Sequence, residues 1–92
     1  MLRDWIKKYT KSDGTTIIVN ENISILPPRT FDGITGLQEV VLPKNLKKIG
    51  ILSFAWCKGL REIKIPDGVV SIDDEAFRGC VNLEKVTYRP KW

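Results

Sequence analysis

The chain has 92 residues, 42% of them hydrophobic and 28% charged, with a net charge of +4. This is enough for one folded domain near the lower size limit for an unaided core, and too apolar for a disordered chain. No apolar run approaches the roughly 20 residues that cross a bilayer, and the charge-interrupted start MLRDWIKKYTKSDG is no secretory signal, so a complete chain is expected in the cytoplasm. Two cysteines, Cys57 and Cys80, are too few for a disulfide scaffold and lack CxxC spacing.

At the start, Leu2, Trp5, Ile6 and Tyr9 fall at i, i+3, i+4 and i+7, which places them on one stripe of a helix with Lys7, Lys8 and Lys11 towards solvent. Ser12-Asp13-Gly14 reads as its stop. A helix this short is marginal alone, so its stripe needs a surface to dock on. The spacing predicts an N-terminal capping helix over residues 1–14.

After Gly14 the period changes. Phe31, Phe54 and Phe77 are 23 residues apart, as are Leu37, Leu60 and Leu83, and Val40, Ile63 and Val86. Val19, Leu42, Ile65 and Tyr88 keep the same step, followed by Ile23, Leu46 and Val69, and by Leu26, Ile49 and Ile72. A fixed period of this length with L-x-x-L-x-L spacing predicts a leucine-rich-repeat solenoid of about three 23-residue repeats over residues 15–88, with a tail at 89–92. The fold class is an α/β repeat solenoid with a small parallel sheet.

Each repeat reads the same way. Ile63 and Ile65 alternate with Glu62 and Lys64, as in a short strand with one buried face. Pro43 and Pro66 close the strand, because proline donates nothing to a ladder. Leu46 and Ile49, like Val69 and Ile72, are inward residues of the bend that follows. A short helical turn is expected to bring Ser53, Phe54 and Cys57 inward. Four strands, near 16–19, 39–42, 62–65 and 85–88, are expected to stack in one parallel sheet at the ordinary strand spacing of about 4.8 Å.

The stretch Leu60 to Val86, LREIKIPDGVVSIDDEAFRGCVNLEKV, reads L-x-x-I-x-I-P-x-x-V-x-x-I-x-x-x-A-F-x-x-C-x-x-L. It resembles the BspA-like (Treponema-type) leucine-rich repeats of bacterial and some protist proteins, over roughly Ile17 to Tyr88. The first repeat departs, with Ile34 where the cysteine belongs and Pro28 in the turn. The resemblance implies a leucine-rich-repeat fold in a protein that binds other proteins. Family members are typically long and are surface-exposed or secreted. A fragment of such a member is expected at the cell surface or outside the cell.

Terminal coils need caps. The helix stripe serves the first coil, whereas the last has only Tyr88, Pro90 and Trp92. An unpaired final strand recruits another strand or is blunted by proline, so a homodimer through the C-terminal edge is one expectation.

Catalysis finds little support. The chain has no histidine, which removes histidine triads and imidazole metal sites. Asp73, Asp74 and Glu75 read as a solvated face, and the glycines as repeat turns rather than a phosphate loop. No cofactor is called for. Cys57 and Cys80 share a column with Ile34, so they read as core residues, the alternative being a disulfide between adjacent coils.

Binding is the expected activity, through a protein partner of unknown identity. Leu52 and Trp56 stand where the neighbouring repeats carry Arg29 and Gly33, or Glu75 and Gly79. Together with Ile51 they form a candidate convex apolar patch. The other candidate is the sheet face, where Ile18 and Val41 point outward among Glu39, Glu62 and Lys64. Lys44, Lys47, Lys48, Lys58, Arg61 and Lys64 make the centre basic, but without interleaved aromatic residues this fits nucleic acid poorly. A basic amphipathic helix on a membrane is likewise the lesser reading of the N-terminus.

Overall fold

The structure, a computed structural model, describes residues 6, 15–19 and 22–88. The capping helix expected over 1–14 lies outside the described residues except for Ile6, which is fully buried in the core. Ile6 has a helical conformation, and among the described residues of 15–88 the regular elements are all strands.

The described residues form seven short strands: β1 (Thr16–Ile18), β2 (Ile25–Leu26), β3 (Glu39–Val41), β4 (Lys48–Ile49), β5 (Glu62–Ile65), β6 (Ser71–Ile72) and β7 (Lys85–Tyr88). The odd-numbered strands fall where apolar alternation placed them. Their pairing is parallel and in register with the repeat, with Ile17 opposite Val40 and Ile63 opposite Val86. Inward residues of one coil therefore stack directly on those of the next, which buries Ile17, Val40 and Ile63.

The single four-stranded sheet does not form. β1 pairs with β3 and β5 with β7, but no ladder joins β3 to β5. Within this column Glu39 and Glu62 occupy equivalent positions, and like charges directly opposite each other weaken a strand pair. Across β5 and β7 the same position brings Glu62 to Lys85 at 3.5 Å. The break coincides with the like-charge step.

A separate three-stranded sheet, β2-β4-β6, forms in the bend, pairing Leu26 with Ile49 and Ile49 with Ile72. Two-residue strands carry too little alternation to be read as strands from sequence.

The third side of each coil is a chain of turns, which corrects the expected helical turn around Ser53 to Cys57. Arg29, Leu52 and Glu75 have φ of 61°, 57° and 59°, and Trp56 has 61°. A left-handed residue interrupts a right-handed helical run, so i→i−4 bonding cannot propagate. Instead Ala55 N donates to Leu52 O at 3.1 Å, while Phe54 N and Trp56 N donate to Ala76 O and Arg78 O of the next coil at 2.8 and 2.6 Å. This side is also cross-linked by backbone bonds between coils.

Along the axis Phe31, Phe54 and Phe77 stack with centroids 5.0 and 5.1 Å apart. Polar groups in the core are satisfied: Ser53 Oγ donates to Gly50 O at 2.6 Å and Thr30 Oγ1 to Pro27 O at 2.6 Å. Gly50 is needed for close approach, since a Cβ there would lie 2.8 Å from both Leu26 O and Pro28 N.

Candidate functional site

Strand alternation turns Ile18, Glu39, Val41, Glu62 and Lys64 away from the core, and they share the sheet face. The missing ladder opens that face between β3 and β5 into a groove of about 850 Å³, with Val41, Glu39, Glu62, Lys64, Arg61 and Lys44 among its walls. A smaller depression of about 460 Å³ continues from Val41 and Lys44 to Ile18. The structure thus brings the five sheet-face candidates to one concave surface. The groove itself was not legible in the sequence. The column of Glu39 above Glu62 was the available signal.

The backbone makes this groove unusual. A strand inside a sheet normally satisfies both edges. Here β3 is paired only towards β1, and β5 only towards β7. The facing edges keep donors and acceptors that have no protein ladder. Charges of both signs surround them. Among the described residues Glu39 has no ion-pair partner, while Glu62 is bridged to Lys85 and Arg61 to Glu84 at 3.2 Å.

The convex candidates lie on the opposite side of the coil. Trp56 is 45% exposed, Ile51 is exposed and Leu52 half-buried. The indole does not stand free. It lies against Gly79 of the next coil, where an added Cβ would fall 2.2 Å from Cε3 of the ring, and Arg78 sits 5.8 Å from its centroid. One face of the tryptophan is therefore used within the molecule, and the Arg78 guanidinium lies over the ring in a cation–π contact.

The basic residues do not form one field. Lys48 Nζ is 3.7 Å from Asp73, and Arg61 pairs with Glu84. The acidic cluster is divided too, since Asp73 faces Lys48 and Glu75 bonds Arg78 at 3.1 Å. Among the described residues no group of acidic and thiol side chains is placed to hold a metal ion.

Both thiols are free. Cys57 Sγ donates to Phe31 O at 3.1 Å and Cys80 Sγ to Phe54 O at 2.9 Å, each reaching back one coil. Burial pushes the Cys57 thiol up to about 12, and burial also raises that of Cys80. The cysteine column ties adjacent coils together as neutral donors, with thiolate chemistry suppressed.

A family model described as "BspA type Leucine rich repeat region (6 copies)" matches residues 7–91. The chain belongs to the BspA-type leucine-rich repeat family. No curated protein matches it. Among solved structures it is similar to a leucine-rich cell surface protein from Faecalibacterium prausnitzii A2-165, with a TM-score of 0.59 and 14% identity over 86% of this chain. The match covers 36% of that chain, so this BspA-type chain spans about a third of the length of the neighbour. At that identity the likeness is one of fold. The cysteine and phenylalanine positions of the BspA-type repeat acquire a physical meaning here: the ring stack forms the axis, and the thiol caps the carbonyl one coil back.

Proposed function

We propose that this chain is a non-enzymatic protein-interaction module that takes an extended segment of a protein partner on its sheet face, in the groove between β3 and β5. The observation that carries the reading is the break in the sheet, which leaves two facing strand edges without a ladder beside an exposed Val41. An extended peptide supplies backbone donors and acceptors for such edges, and its alternate side chains meet the groove walls. Glu39, Glu62, Lys64 and Arg61 present both signs of charge, which suits a peptide carrying both signs and disfavours a run of phosphates. The half-covered Trp56 leaves the convex patch as a second contact rather than the primary one. The family and the cell-surface description of the structural neighbour support a setting at the cell surface, as part of a longer protein.

Peptides selected from a random library on the wild-type chain are expected to bind about tenfold or more weakly to Val41→Asp and to Lys64→Glu, a loss of about 1.4 kcal/mol or more. Trp56→Ala should leave that affinity unchanged. Bound peptide should slow amide exchange at Val40, Leu42, Glu62 and Lys64, the residues whose backbone faces the groove by strand alternation. Binding that Trp56→Ala abolishes and the groove variants spare would move the site to the convex patch. Duplex DNA bound in place of peptide, with affinity falling steeply as salt rises, would end the peptide reading.

A further inference from the structure

We infer that the segment taken by the groove carries its charges in a fixed order around an apolar residue. The apolar side chain lies over Val41, a basic one on one side of it over Glu39, and an acidic one on the other side between Lys44 and Lys64. This inference rests on the groove as the binding site and adds what the groove selects.

The charges that line the groove are not equally available. Glu62 is held by Lys85 at 3.5 Å and Arg61 by Glu84 at 3.2 Å, and both partners belong to the coil of β7, on the far side from β3. Those two charges are already answered within the molecule. Glu39, Lys44, Lys64 and Asp67 line the same groove and are exposed. None of the four has an ion-pair partner among the described residues.

Their places along the strands set the pattern. Glu39 opens β3, so one end of the groove holds an unanswered negative charge. At the other end Lys44 follows Pro43, and Lys64 stands on β5 at the position equivalent to Val41, 23 residues on. Asp67 lies beyond Lys64; two lysines against one aspartate leave this end net positive. Between the ends sits the exposed Val41, and the depression beside it runs on to Ile18. In an extended segment the side chains on one face are two residues apart, the same separation as Glu39 and Val41. A segment lying along β3 in either direction therefore meets the groove best with opposite charges two residues before and two residues after an apolar side chain. A segment of one sign sets a like charge against one end of the groove, which counts against it.

Peptides selected from a random library on the full chain are the probe, in about 0.15 M salt so that distant charges are screened. The selected sequences should share an apolar residue with opposite charges two positions to either side. Replacing the peptide's basic residue by glutamine should weaken binding to the wild-type chain about fivefold or more, and should leave binding to Glu39→Gln unchanged. Replacing its acidic residue should show the same coupling with the Lys44→Gln, Lys64→Gln double variant. All three substitutions fall on exposed side chains, and unchanged circular dichroism checks that each variant folds. Losses that simply add in these variants overturn the inference, as do selected peptides of a single sign. If such peptides are still lost with Val41→Asp, the groove stands as the site and the charge order alone falls. Binding indifferent to Val41→Asp, or a library that yields no binder, overturns both.

Discussion

Trp56 occupies a column whose other members are Gly33 and Gly79, and the structure explains the pairing of the last two coils: the indole needs the space that glycine leaves. Gly79 also has φ of 75°, where a Cβ is strained for its own reasons. Gly79→Ala should therefore cost about 1–3 kcal/mol, from overlap and left-handed strain together. In a background with Trp5 and Trp92 replaced by phenylalanine, it should also shift Trp56 emission to longer wavelength and speed its quenching by acrylamide. Unchanged fluorescence would mean that the ring does not rest on Gly79. Cys57 supplies a pH dependence of definite sign. Its folded-state value of about 12 stands above the ordinary 9.0, so between those values the unfolded chain has released a proton that the folded chain retains. Stability should be level below about pH 9 and fall by up to about 1.4 kcal/mol per pH unit above it. That slope should diminish in Cys57→Ala. Below pH 9 the folded thiol should react with a maleimide far more slowly than Cys80.

The elements were legible where a column of apolar residues held for three or four periods. The odd-numbered strands and the phenylalanine stack came directly from that spacing. The β2-β4-β6 sheet did not, because two residues per strand leave no alternation to read. The convex turns read as helix in the sequence because Ser53, Phe54 and Cys57 share helical spacing, whereas leucine at 52 and tryptophan at 56 do not signal the left-handed φ they adopt. The groove was missed for a different reason: the period argues that every coil repeats the last, and a like-charge step is a departure from the period. The ring stack allows a quantitative contrast between elements. Phe54 is fully buried between two rings, and Phe77 is half-buried against one. Phe54→Ala should cost about 3–5 kcal/mol and Phe77→Ala about half that or less, in proportion to the area it covers. Urea midpoints at constant m-value measure both. Equal losses would mean that the last coil is packed as tightly as the central one.

At the scale of the molecule, stability in a solenoid is a sum over coils and the interfaces between neighbours. Among the described residues the central coil is packed on both sides and the last coil on one. The ion pairs that cross between coils do little to even this out. Lys48–Asp73, Arg61–Glu84 and Glu62–Lys85 lie at the surface, with Asp73 half-buried, a class worth about 0.2–1 kcal/mol each and weakened by salt. Opening should therefore begin at the C-terminal coil and proceed inward. In the wild-type chain, amides of Ser71–Ile72 and Lys85–Tyr88 should exchange about a hundredfold or more faster than those of Lys48–Ile49. Phe77→Ala should accelerate only the C-terminal set. Phe54→Ala removes the ring that joins the coils on both sides, so it should accelerate every set together. Uniform exchange would show that the three coils open as a single cooperative unit, with the last described coil no weaker than the centre.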